Sequence, residues 1–293
     1  EESEDEKMHD LEIIINRIAK QNQIEQQVAQ ILNKSSKPLT SLINFDVKLI
    51  ERQLKPVSDT LYASSTETSN ELYELFLTDL LKQKRYKDLD VAKSPRVDWR
   101  SLLTATKQNL PDDSLFANGH PSDVLAPIVN ISYEAAILYC EWLTHVYNAS
   151  DQKRKKYGHV EFRLPTMSEW EFIASSGETG NKYPWKGNFV RNSKGCYIAN
   201  LRVTELFGYD TTTTTCNVTG ADGAFFTVRV DSYFPNDFGL YNITGNVAEM
   251  VQERGKTKGG SWNTTPQNAV ISTYETYTTP TPQIGFRVIM VIR

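Results

Sequence analysis

Apolar residues near the start of this chain recur at helical spacing. Leu11, Ile14, Ile18, Ile24, Val28, Ile31 and Leu32 fall mostly three and four apart, which marks one face of a helix of about 24 residues. The stripe slips between Ile18 and Ile24, and Gln and Asn fill the rest, so it is too short and irregular for a coiled coil. Ser35-Ser36-Lys37-Pro38 breaks the helix. A second helical pattern, Leu39, Leu42, Ile43, Val47, Ile50 and Leu54, runs up to Pro56. Together they predict a helical hairpin that docks on the rest of the chain or on a partner. For the second helix, plain core packing is the favoured expectation.

The pattern changes at Val57. Asp59 to Ser65 reads as a strand, and Thr66 to Leu77 as a capped helix in which Thr68 and Glu71 have capping-box spacing. Residues 85–125 are polar and rich in turn signals, so long irregular connections are expected there. Pro127 to Ser132 predicts a strand leading into a helix over 133–147, with Ser132 as N-cap. A further helix carries Trp170, starting after Pro165 with Ser168 near its first turn. Beyond Tyr183 the periodicity fades, and residues 186–237 are rich in Gly, Asn and Thr. Short strands at 248–251, 256–260 and 285–292 predict a closing antiparallel sheet.

Composition narrows the function classes. The chain has 293 residues, 39% hydrophobic and 11% aromatic, enough for a sizeable core. A net charge of −4 gives no electrostatic case for nucleic acid. The one basic run, Lys153-Arg154-Lys155-Lys156, reads as a solvated loop. No apolar run approaches the roughly 18 residues of a membrane helix. The opening, Glu1-Glu2-Ser3-Glu4-Asp5-Glu6, lacks Met and fits a processed product, which leaves room for a signal or lipid anchor upstream. Cys140 sits in an apolar helical run and reads as a core residue. Cys196 and Cys216 bracket a polar stretch of about 20 residues, which a disulfide or two free thiols would equally suit. His9, His120, His145 and His159 are scattered, without a metal-binding spacing. No Ser-His-Asp arrangement or phosphate-binding glycine loop is present.

The densest stretch for chemistry is Phe238 to Met250, followed by Gly259-Gly260-Ser261-Trp262. Asn242 and Glu249, with main-chain carbonyls between them, would place several hard oxygens around one point, the donor set calcium prefers. A hairpin with polar tips fits the spacing equally. This stretch resembles the signature of the formylglycine-generating enzyme (sulfatase-modifying factor) family. Three further segments match in the family's order: Arg163-Leu164-Pro165-Thr166-Met167-Ser168-Glu169-Trp170-Glu171, Tyr183-Pro184-Trp185, and the Gly259 turn with a closing Gly285-Phe286-Arg287. The resemblance covers roughly Val57 to Arg293.

It implies an α+β, C-type-lectin-like formylglycine-generating-enzyme fold with little regular structure over 57–293. Before it, 1–56 would be an acidic tail and a helical accessory or interaction segment. The family's enzymes oxidise a substrate cysteine and hold copper through two cysteines after the Gly-Gly-Ser turn. Here those positions fall on Thr264 and near Ala269, and no cysteine follows Cys216. A hydroxyl lacks the softness that selects Cu(I), so the expectation is a polar groove without copper and no catalytic residue. Calcium carries over instead. One site would use Asn200, the Leu201 carbonyl, Asp222 and the Ala224 carbonyl. The other would use Asn242, the Gly245 and Val247 carbonyls and Glu249. Side chains that satisfy loop amides without metal are the alternative.

Several segments, among them Lys194 to Asn200 and Thr219 to Ala224, look like the gliding-motility and type IX secretion lipoproteins of this fold. That resemblance implies a non-catalytic, calcium-stabilised binding or assembly module of a bacterial envelope, periplasmic or associated with the outer membrane. Its partners would be other envelope proteins, met through the N-terminal helices. The competing readings are an enzyme with a different active site and a lectin-like carbohydrate binder.

Overall fold

Short polar side chains set where the helices begin, because first-turn amides lack intrahelical acceptors. A computed structural model describes residues 43, 45–103, 108–116, 119–202 and 224–293. The expected helix over 11–34, Asp222 and Cys216 lie outside the described residues. Asp46 caps α1 (Val47–Gln53) by accepting from the Lys48 amide at 3.0 Å. Ser69 caps α2 (Asn70–Lys82). The expected Thr68–Glu71 capping box does not form. The Thr68 amide donates to the Phe286 carbonyl and its own carbonyl accepts from Ile128, each at 2.9 Å, so Thr68 is held extended. Residues 85–125, expected to be irregular, carry α3 (Tyr86–Ala92) and the single turn α4 (Asp112–Leu115). Ser132 caps α5 (Tyr133–Ala149) as its sequence predicts, accepting from the Ala135 amide at 3.1 Å. In α6 (Met167–Ala174), Thr166 and Glu169 form a full capping box.

Two four-stranded sheets frame these helices. β1 (Leu54–Pro56), β2 (Leu61–Ser64), β3 (Val160–Arg163) and β8 (Ile289–Ile292) pair antiparallel in the order β1-β2-β8-β3. β4 (Ala248–Met250), β5 (Lys256–Lys258), β6 (Glu275–Thr276) and β7 (Ile284–Gly285) make the second, in the order β6-β5-β4-β7, with β4 and β7 parallel. Three expectations are corrected here. The second helical pattern stops at Gln53, because Leu54 pairs with Ser64 across β1 and β2. Residues 127–132 make a single bridge, Ser69 to Pro127, and Asn130 turns out of extension with φ 59°. The 285–292 stretch splits between the two sheets, since Arg287 turns inward between β7 and β8 and its guanidinium takes the Ser64 and Tyr241 carbonyls.

α5 carries the main core. Its buried face places Tyr139 and Trp142 against Tyr73 and Phe76 of α2 and against Phe286, and Tyr147 against Phe162 of β3. Each such large side chain is worth roughly 1.5–3 kcal/mol of burial. Polar tips are satisfied inside: the Trp142 indole donates to Asp79 at 2.8 Å and the Tyr147 hydroxyl to Glu51 at 2.7 Å. Val47, Ile50 and Leu54 pack into this same cluster, so the second helical pattern belongs to the core and not to a separate accessory segment. The compact unit accordingly begins near Ser41. A second cluster, around Trp170, Ile173, Leu240 and Ile289, lies against the loop that carries the candidate site. Among the described residues no helix is long and apolar enough to cross a membrane.

Candidate functional site

The loop Leu240 to Ala248 winds through the interior on left-handed residues. Asn242 (φ 52°), Gly245 (φ 81°) and Asn246 (φ 63°) turn it, the conformation that Asn and Gly tolerate best. Gly245 is also a steric requirement: a Cβ there would lie 2.2 Å from the Asn200 carbonyl oxygen. That contact brings Asn200 of one expected calcium site against Gly245 of the other. The Asn246 amide donates to the Asn200 carbonyl at 2.9 Å, and Asn200 Nδ2 donates to Asn246 Oδ1 at 3.1 Å. Asn246, fully buried, also ties in Val228 and donates to Glu67 Oε1 at 2.9 Å. Asn242 Nδ2 donates to Glu67 Oε2 and to the Arg229 carbonyl, each at 3.1 Å.

Glu249 sits at the far end of this loop and is 1% exposed. Arg287 donates to it through Nε and Nη2, at 2.7 Å for the shorter contact to Oε1, and the Trp170 indole donates to Oε2 at 2.7 Å. Three N–H donors, with Arg287 Nε shared between both oxygens, take up most of the carboxylate's acceptor capacity. Glu249 is therefore the anion of a buried ion pair with Arg287. Glu67 lies beside that pair. Burial pushes its carboxyl up to about 8, against the Arg287 charge that lowers it, so near neutral pH it is largely a neutral acid.

The donor set can be tested against a cation. Asn200 Oδ1 and Asn242 Oδ1 are buried and have no hydrogen-bond partner among the described residues. A buried orphaned acceptor is costly unless something positive meets it, so both side chains fit a hard cation. Glu249 does not fit the ligand role, because its oxygens are committed to Arg287 and Trp170. Leu201 is buried, Ala224 half-buried, and Val247 fully buried next to Glu249's strand. Among the described residues no group of three or more His, Cys, Asp and Glu is placed to hold a metal. Any cation here would thus be held mainly by neutral oxygens, with Glu67 the nearest carboxyl that contacts Asn242.

The Gly-Gly-Ser turn is a separate feature. Gly259 and Gly260 both have positive φ, and a Cβ on Gly260 would lie 2.9 Å from both Thr264 Cγ2 and Ala269 Cβ. The two positions that the family resemblance pairs therefore do meet, and a hydroxyl and a methyl stand there. Thr264 is 7% exposed and Ala269 fully buried, so the expected open polar groove is closed at this point. Thr264 Oγ1 donates to Glu275 Oε1 at 3.1 Å and accepts from the Ser261 amide at 3.0 Å, with Ser261 Oγ at 3.2 Å. Ser261 Oγ in turn accepts from the Asn263 amide. The Ser261 and Thr264 hydroxyls thus both have hydrogen-bond partners, while the Trp262 amide reaches out to the Asn246 carbonyl.

Cys196 is exposed and free, and Cys140 is buried with its thiol pushed up by desolvation. His120 lies against Phe116 and accepts from the Ser122 amide through Nδ1. Sequence reasoning missed Glu67 and Asn246. Glu67 reads as part of a helix cap and Asn246 as a turn residue; neither carries a spacing signal, because their partners lie 179 positions apart.

Several known proteins are similar to this chain. The formylglycine-generating enzyme of Bos taurus is 28% identical over 210 residues, covering 67% of this chain and 49% of that protein. The inactive C-alpha-formylglycine-generating enzyme 2 of Bos taurus is 30% identical over 146 residues, covering 46% of this chain and 38% of that protein. PvdO from Pseudomonas aeruginosa aligns over 79% of this chain and 80% of its own at 20% identity, with a TM-score of 0.47. The chain spans about half the length of the bovine enzyme. The profile described as "Sulfatase-modifying factor enzyme 1-like domain" matches residues 55–292, from within β1 to the end of β8, and the chain belongs to that family.

Proposed function

We propose that this chain is a non-catalytic member of its family, a binding or assembly module stabilised by calcium. One observation carries the reading. The positions that face each other across Gly260 are Thr264 and Ala269, and the turn's hydroxyls are consumed by Ser261, Asn263 and Glu275. Two thiolates are what soft copper chemistry needs, and this pair offers none. Among the described residues the Ser261 hydroxyl reaches Glu275 only through Thr264, so no base bonds it directly. Similarity to proteins named inactive supports the same reading. Calcium is supported by the orphaned Asn200 and Asn242 oxygens. The placement in a bacterial envelope, as a component of gliding-motility or type IX secretion machinery, rests on the motif resemblance alone.

The test is an oxidation assay. The chain is incubated with Cu(I), dioxygen, a thiol reductant and a cysteine-containing peptide of sulfatase type, and the peptide is followed by mass spectrometry. Unchanged cysteine is expected. Conversion of the cysteine to an aldehyde would overturn the reading.

A further inference from the structure

A cleft of about 220 Å³ opens beside the Asn242 loop, walled by Pro184, Trp185, Ile198, Tyr233, Phe234 and Pro235. This is below the roughly 300–1,000 Å³ of a drug-sized ligand site and suits one large side chain. Its aromatic walls are fixed. Trp185 stacks on Tyr183 at 4.9 Å, and its indole N–H is already given to the Phe189 carbonyl at 2.8 Å, so the ring offers the cleft apolar surface only. Tyr233 takes a left-handed φ of 61°, rare for a bulky residue, and the next residue, Phe234, is 80% exposed. Phe189, at 73%, is exposed on the same loop as Trp185. Prolines on both walls restrict the backbone.

The chain beside Trp185 is mainly basic, with Glu178, which accepts from the Asn181 amide, just before the basic stretch. Residues 179–204 contain Lys182, Lys186, Arg191, Lys194 and Arg202 and no Asp or Glu. Lys182, Lys186 and Lys194 are exposed and make no ion pair among the described residues. On the facing wall Asp231 is paired with Arg229, and Asp237 is exposed. Asn236 gives its amide to the Ile173 carbonyl and Asn242 gives Nδ2 to Glu67, while Asn242 Oδ1 and Thr244 Oγ1 have no hydrogen-bond partner among the described residues.

From these observations we infer that the cleft docks an acidic peptide segment, with one aromatic or branched aliphatic side chain seated between Trp185 and Phe234 and its carboxylates over the three lysines. This deepens the binding-module reading and rests on it. The test is fluorescence anisotropy of a short dye-labelled peptide, one Phe flanked by Asp and Glu, titrated with the whole chain. Saturable binding that weakens with added salt is expected. Replacing the central Phe by Ala, or using Phe234→Ser or Trp185→Ala protein, should weaken it about tenfold. The double variant Lys182→Glu/Lys186→Glu should instead prefer a Lys-flanked peptide. Phe234 is exposed, so Phe234→Ser should melt like the wild type and keep the test independent of folding. Absence of saturable binding, indifference to the central Phe, or tighter binding of an oligosaccharide or of oligo-dT would overturn the inference. Failure here leaves the non-catalytic reading intact, whereas peptide oxidation in the copper assay would overturn that reading and leave docking in the cleft to be judged by anisotropy.

Discussion

At position 249 a carboxylate, an indole N–H and a guanidinium meet in the interior, and the residue's part in stability follows from that contact. The family resemblance makes Glu249 a calcium ligand; the structure makes it the counter-ion of Arg287. The two roles predict different mutants. Removing one member of a buried pair leaves the other charge uncompensated and costs about 3–5 kcal/mol. Glu249→Ala should therefore lower the melting temperature steeply whether calcium is present or chelated. A loss seen only in calcium would return Glu249 to the ligand set. The pairing was half legible: Arg287 stands out in the closing Gly285-Phe286-Arg287 match, but nothing in a one-dimensional pattern joins it to a residue 38 positions earlier.

Elements whose boundaries are decided locally were readable, and those decided by distant strands were not. Ser132 caps α5 from within its own first turn. Thr68 has equally good spacing to Glu71, yet strand partners at Phe286 and Ile128 claim its backbone. The same competition ends α1 at Gln53 and divides 285–292 between two sheets. In α6 the local signal holds fully, and it carries a pH dependence. Glu169 completes the capping box and receives two 2.7 Å hydrogen bonds from Arg163, which hold its carboxyl below the ordinary value of 4.5. A carboxyl with a depressed folded value adds stability above its unfolded value, lost as pH falls through the folded one. Acid melting curves should show Glu169→Gln less stable than wild type at neutral pH, with the gap closing below about pH 4.5. Parallel curves throughout would show that the pair contributes nothing.

At the scale of the whole molecule, the described residues form two sheets and one large helical face beside loops whose own sequence offers little apolar surface. The fold class and the site's loop were legible because Gly and Asn turns recur in a recognisable order. Glu67 was not, because burial alone gives it its character. Ordering such loops is costly, and a cation that binds only the folded state would add about 2.7 kcal/mol at a hundredfold excess over its Kd. Chelation should lower the melting temperature, and Asn200→Ala and Asn242→Ala should each reduce the calcium-dependent gain. The two losses should not add, since Asn246 bonds to Asn200 directly and shares Glu67 with Asn242. A melting curve unmoved by chelator, after confirmed metal removal, would exclude calcium as a stabiliser.

The central claim concerns the Gly260 turn, and a competition titration with a chromogenic Cu(I) chelator tests it most directly. Wild-type protein, whose Thr264 and Ala269 offer a hydroxyl and a methyl where thiolates would stand, should withdraw no Cu(I) from the chelator. The double variant Thr264→Cys/Ala269→Cys, whose two positions already meet across Gly260, should withdraw one equivalent. Tight Cu(I) binding by the unaltered chain, abolished by substitutions around Ser261 and Thr264, would contradict the account.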